Sequence, residues 1–271
     1  MPPLLSCFRI ITLVSLFYIL LDSNARTLPS VPGRTVSETN HGVCFASSEI
    51  SDVTKLSNTQ VSWLHNWSPI PPTGLPADVE HVPMQWGAGA AETFQSFVLN
   101  ANATHALGFN EPDLGSQSNL SPTEAASIWT QFIEPLASHG VRLGSPGVTN
   151  GPPPSMGTGW LSDFIEACNG CTIDFVTIHW YGSDANEFIG YLEQVHAQFP
   201  GYPIWVTEFA DTNPDPTAVE EFLKTTVDYM NSVSYVERYA WFAFSRTTNG
   251  LNSNLMDVNG NINMLGAAYG L

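Results

Sequence analysis

HALGFNEPDLGSQSNLSPTEAASIWTQFIEPLASHGVRLGS, residues 105–145, holds one complete unit of the pattern that runs through this chain. An apolar strand, 105–109, enters a polar loop that opens with Asn110, Glu111 and Asp113. Ser121 stands where a helix N-cap belongs, Pro122 fits the first turn, and Glu124 lies three residues on, as in a capping box. From there Ala125, Trp129, Phe132, Ile133 and Leu136 form one apolar stripe, which predicts a helix over 122–138. A second apolar strand, 142–145, follows.

The same alternation extends in both directions. Further strands are predicted at 41–45, 61–67, 81–85, 175–181, 204–208 and 238–244. The helix expected over 217–232 carries Val219, Phe222, Leu223, Thr226 and Met230 on one face, and weaker helical patterns cover 161–167 and 186–198. Strands that alternate with helices and are nearly all apolar imply a parallel sheet covered by helices. Eight such units predict an α/β fold of the (β/α)8 TIM-barrel type, in a single domain over 41–271. An open doubly wound sheet is the alternative, but no Gly-x-Gly-x-x-Gly follows the first strand and no phosphate loop occurs.

The first 25 residues stand apart. Arg9 precedes the apolar run 10–21, and Ser-Asn-Ala at 23–25 suits cleavage by a signal peptidase. A membrane anchor would need about 20 apolar residues, more than this run provides. Residues 1–25 are therefore expected to be a signal peptide, 26–40 a flexible leader, and the mature protein secreted, extracellular or in the cell wall. The formal net charge of −17 survives cleavage, because the segment removes one Arg and one Asp. So acidic a chain is expected to avoid nucleic acid and anionic membranes. A monomer is expected. Cys168 and Cys171, in Cys-Asn-Gly-Cys, suit a local disulfide in an oxidising compartment. A redox pair or half a zinc site is the rival reading, and no second Cys pair exists to complete a zinc cage. Cys44, inside the apolar GVCFA, reads as a buried free thiol.

In such a fold the loops after the strands build the active site. Glu111 ends the fourth strand and Glu208 the seventh, where a carboxylate has no structural purpose. Burial and a nearby like charge would keep one protonated and the other ionised. Carboxyls about 5–5.5 Å apart mark a retaining glycosidase, and a wider gap an inverting one. Aromatic residues gather at the same ends: Trp63, Trp67, Trp86, Trp180, Tyr181 and Trp241. Flat rings with polar edges suit sugar rings. Trp129 and Trp205 read as core.

At these residues the chain resembles clan A of the glycoside hydrolases, with Asn-Glu-Pro at 110–112 and Glu208 after the seventh strand. More closely, it resembles glycoside hydrolase family 128, to which fungal β-1,3-glucanases belong. VSWLHNWS (61–68), LGFNEPD (107–113), IDFVTIHWYG (173–182), PIWVTEFA (203–210), YAWFAF (239–244) and DVNGNINMLGAAYG (257–270) carry the likeness, in order, over 41–271. The resemblance implies a retaining β-1,3-glucanase that needs no metal or other cofactor and takes β-1,3-glucan or its oligosaccharides; endo action is the expectation, with endo versus exo cutting left open by the sequence. It implies Glu111 as acid/base, Glu208 as nucleophile, and Asn110 on the sugar 2-hydroxyl. His65, Asn66, Trp67, His179, Trp180 and Tyr181 would line the sugar cleft, with Tyr181 holding Glu208. Trp241 would be a platform under the sugar, or Phe244 if the strand register slips.

Competing readings leave different marks. A non-catalytic or exo-acting glucan-binding barrel of the same fold is the sharpest rival, though both glutamates and Asn110 are present. A wall structural protein should show repeats or Ser/Thr-rich stalks. The seven histidines show no His-Glu-x-x-His pair for a metal hydrolase, and no Gly-x-Ser-x-Gly marks a serine hydrolase. Of three sequons, Asn102 and Asn119 fall in loops and could carry glycans. Asn66 falls in the expected cleft and should be bare.

Overall fold

The computed structural model describes residues 40–248 and 250–271. The expected signal peptide and all but the last residue of the leader lie outside them. Among the described residues no helix is long and apolar enough to cross a membrane.

The strands are β1 (His41–Phe45), β2 (Trp63–His65), β3 (Glu80–His81), β4 (His105–Leu107), β5 (Arg142–Gly144), β6 (Val176–Gly182), β7 (Ile204–Asp211) and β8 (Val236–Phe244). They form a six-stranded sheet in the order β3-β2-β1-β8-β7-β6 and a two-stranded sheet β4-β5, and every pairing is parallel. Backbone bonds also join the two sheets at both seams. Leu107 N donates to Pro83 O at 2.8 Å, and Ser145 N donates to Phe175 O at 3.0 Å. The chain is thus a single mixed α/β domain whose strands succeed one another as the (β/α)8 pattern requires.

Several expected strands are shortened. The segment 61–67 keeps three strand residues and 81–85 only His81, the end of the two-residue β3, whereas β7 runs three residues past Glu208. The pairings of β1 with β8, β6 with β7 and β7 with β8 all contain register shifts. A one-residue slip moves side chains to the opposite face of a sheet, which matters at the site.

The helices are α1 (Ala91–Asn100), α2 (Pro122–Ile128), α3 (Gly157–Ala167), α4 (Ala185–Gln198), α5 (Pro216–Ser232) and α6 (Met264–Ala268). The capping box at Ser121 and Glu124 forms with both of its bonds. The single helix expected over 122–138 does not continue. It passes into a π turn at Trp129–Ile133 and a 3-10 turn at Glu134–His139. Pro135 is the reason: it offers no N–H, and its ring crowds the carbonyl four residues back. The α1 helix, absent from the sequence reading, follows Ala90, a left-handed N-cap residue that makes no side-chain cap bond. Cys168 and Cys171 are bonded, and Cys44 is free and buried.

A stack of rings packs at the end of the strands away from Glu111 and Glu208. Phe175 and Trp205 stack at 4.0 Å, Trp63 packs 5.2 Å from Trp205, and Arg238 lies 4.5 Å over Trp205. Glu80 anchors Arg238 at 2.8 Å and contacts His105 at 3.0 Å. Burial opposes the ionised Glu80, but the bond from His105 and the charge of Arg238 outweigh it and hold its carboxyl down at about 2. With a folded value below the unfolded one, the stabilisation is present above the ordinary glutamate range and is lost as pH falls through about 2. Glu80→Gln should cost about 3 kcal/mol by urea unfolding near neutrality, as expected when one partner of a buried pair is removed. That gap should close in acid. A gap of equal size at both ends of the range would rule this out.

Candidate active site

Glu111 leaves β4 with φ at 43°, a conformation few side-chain-bearing residues adopt, and its N–H donates to Gly147 O at 2.7 Å. Asp113 secures the same loop by accepting from the backbone N–H of Thr149 at 3.2 Å and of Gly157 at 2.8 Å. Glu208 lies on β7, 3% exposed. Trp67, itself at φ 55°, donates its indole N–H to Glu208 Oε1 at 2.7 Å. Tyr181 donates its hydroxyl to Oε2 at 2.6 Å. Donors on both oxygens describe an acceptor-only carboxylate. Tyr181 is itself fixed by Asn150, which accepts from its N–H at 3.4 Å and donates to its carbonyl at 3.2 Å.

His179 joins the two acids. Its Nδ1 is 2.9 Å from Glu111 Oε1, and its Nε2 is 3.6 Å from Glu208 Oε1. One oxygen of each glutamate and one nitrogen of His179 all lie within 4.8 Å of one another. Burial raises the Glu111 carboxyl above its ordinary range. The His179 contact works against that rise, and the charges of Glu208 and Asp113 add to it. This is the asymmetry an acid and a nucleophile need: one carboxyl biased toward its neutral form, the other held by donors. The trio is also the one potential metal cluster among the described residues.

The other expected site residues divide into two groups. Asn110 is buried beside Glu111, and its Oδ1 has no hydrogen-bond partner while Nδ2 reaches Gln117 at 3.5 Å. Asn66, partly exposed, contacts His81 through Oδ1 at 2.8 Å and donates Nδ2 to Ile70 O at 3.1 Å. His65, Trp180 and Trp241 do not reach the carboxylates' open side. His65 is fully buried beneath Trp67, its Nε2 2.7 Å from Thr207 O. Trp180 packs on Phe188 and Tyr191 of α4. Trp241 faces Phe222 of α5 and donates its indole N–H to Ser253 O at 2.8 Å. The register shifts around β8 put its neighbour Phe242 on the site face instead. Phe242 lies edge-on to Trp67 at 5.9 Å and to Tyr181 at 5.5 Å. Phe244, the alternative platform, is fully buried against Phe45. Phe242, Asn150 and Gln117 were not anticipated. For Phe242 the signal existed in YAWFAF, where only the register was missing.

Two acids, one on the loop after β4 and one on β7 of a parallel α/β fold, with oxygens a few ångströms apart, are the arrangement of the glycoside hydrolase class. Comparison with known proteins narrows this. The family described as glycosyl hydrolase catalytic core matches residues 42–269. A curdlan-specific exo-β-1,3-glucanase of family 128 from Blastomyces gilchristii, solved with glucose, is 33% identical. The match covers 85% of this chain and 97% of that one, with a TM-score of 0.75. An endo-β-1,3-glucanase of the same family from Amycolatopsis mediterranei, solved with laminaritriose, is 32% identical over 85% and 98%, with a TM-score of 0.73. The chain belongs to the glycosyl hydrolase catalytic core family and, within it, to glycoside hydrolase family 128. Alkali-sensitive linkage protein 1 of Schizosaccharomyces pombe is 34% identical over 224 residues, 78% of this chain. That stretch is only 40% of the curated relative's own length.

Proposed function

We propose that this chain is a secreted, retaining endo-β-1,3-glucanase. Glu111 protonates the departing glycosidic oxygen while Glu208 attacks the anomeric carbon. Water deprotonated by Glu111 then releases the glycosyl-enzyme. The observation carrying this is the pair itself: oxygens within 4.8 Å, Glu208 held by two donors, and Glu111 raised by burial. The spacing suits direct attack on the sugar better than an interposed water. Asn110 Oδ1, buried and unpartnered, supports a hydroxyl-binding role that strengthens in the transition state. The relatives' complexes with glucose and laminaritriose support the substrate class. The leader pattern and the disulfide support export.

Exo action is the second reading, favoured by the Blastomyces relative. A time course on linear β-1,3-glucan, following product length and anomeric configuration by NMR, separates the two. Mixed oligomers from the start mean endo cutting, and one short product throughout means exo. An inverted first product would overturn the mechanism.

Phe242 takes the platform role in place of Trp241. Phe242→Ala should raise KM for laminari-oligosaccharides about tenfold, the ~1.4 kcal/mol of one aromatic contact. Trp241→Phe should leave KM unchanged and lower the unfolding midpoint. The opposite pattern would restore Trp241.

A further inference from the structure

His179 was expected to touch sugar, yet its ring is fully buried and its polar contacts are the two acids. The ring packs closely against the backbone of Gly147. The backbone N–H of His179 is tied to Val148 O at 2.9 Å, and a methyl group placed on Gly147 would come within 2.9 Å of Nε2. That nitrogen has no hydrogen-bond partner.

Resting on the function above, we propose that His179 is a doubly protonated imidazolium that serves as a single counter-ion for both catalytic carboxylates in turn. Each alternative protonation state fails locally. A neutral ring carrying Nδ1–H would point a bare Nε2 lone pair at Glu208 Oε1, 3.6 Å away. A neutral ring carrying Nε2–H would need Glu111 to donate to Nδ1, tying up the proton that catalysis spends. Only the imidazolium makes both contacts attractive while leaving the Glu111 proton free for the leaving group.

The charges then balance through the reaction. Before glycosyl transfer Glu111 is neutral and Glu208 carries the negative charge. In the first step the Glu111 proton moves to the leaving oxygen, which keeps the electron pair of the broken bond. A Glu208 oxygen forms the new bond to the anomeric carbon. Afterwards Glu208 is an uncharged ester and Glu111 holds the negative charge. The same positive ring lies against whichever acid is ionised, and its own protons never transfer. Preorganised charge of this kind costs no reorganisation during the step.

The surroundings agree. Glu111 and Asp113 face the ring from the loop after β4, Glu208 from β7 and His65 from β2. Burial disfavours the charged ring, but Glu208, Glu111 and Asp113 outweigh it and raise its proton affinity. His65 is held down by burial at about 4, so it adds no second positive charge. Cys44 on β1 is pushed far up by burial and the Glu208 charge, and stays a thiol.

The test is 15N NMR of the full chain labelled at histidine, with His179→Asn to assign the signal. Both ring nitrogens of His179 should read as protonated across the pH range of activity. Glu208→Gln should move the loss of its proton down by about one pH unit, a tenfold drop in affinity. A bare ring nitrogen at a pH where the wild type is active would overturn the proposal. His179→Asn should also slow both the burst and the steady rate on an activated aryl laminaribioside, each by about 10²-fold. Slowing of one step alone would overturn it too. The wild-type nitrogen signals need no variant to fold. A wild type inert on glucan would sink the proposed function instead, while the ring's protonation could still be read.

Discussion

Glu208→Gln is expected to abolish release of reducing sugar from laminarin, with a loss on the order of 10⁴-fold or more, because no covalent intermediate can form. The substitution keeps size and an acceptor oxygen. Trp67 can still donate to that oxygen, and Tyr181 can turn its hydroxyl to accept from the new amide. The unfolding midpoint should therefore barely move while the rate collapses. A structural role for Glu208 would give the reverse. Removing its charge also removes one cause of the raised Glu111 carboxyl, so Glu111 should titrate at lower pH in the variant. Laminarin hydrolysis that survives Glu208→Gln would sink the double displacement. A wild type without hydrolysis that still binds laminarin would favour the non-catalytic barrel.

Why the acids were legible and their surroundings were not follows from strand geometry. Glu111 and Glu208 each end an apolar run, and an ionisable group there stands out whatever the register. Assigning Trp180, Trp241 and His65 to the site needed more, because alternate side chains on a strand point to opposite faces. The register of β6 on β7 slips between Ile178 and His179, and that of β7 on β8 slips between Val206 and Phe209. Counting by twos along the sequence therefore puts Trp241 on the site face, where the structure puts Phe242. Trp180 and Trp241 pack against α4 and α5, whose apolar faces were visible without showing which strand residues they would cover.

Helices show the same division. The capping box at Ser121 was readable because it is local side-chain chemistry. The helix it starts was overextended, since an apolar stripe continues past Pro135 even where hydrogen bonding cannot. The α1 helix was invisible because its N-cap is a left-handed alanine, and its buried residues Ala91, Phe94 and Val98 are too few and too small to make a strong stripe.

Glu111→Gln separates the roles of the two acids. Hydrolysis of laminarin should fall by about 10²–10⁴-fold, the range for losing a general acid and base. On an aryl glycoside with a good leaving group, the first step no longer needs protonation. The glycosyl-enzyme should then accumulate as a burst, because its release still lacks a base. Stability should move the other way. The folded Glu111 carboxyl lies above its unfolded value, chiefly through burial, so its contribution is complete at low pH and is lost as pH rises through the folded value. A glutamine does not ionise and escapes that loss. Chemical denaturation across pH should show Glu111→Gln gaining on the wild type toward alkaline conditions. A difference that shrinks as pH rises would mean that Glu111 is ionised comfortably in the folded protein, and its use as the acid would have to be abandoned.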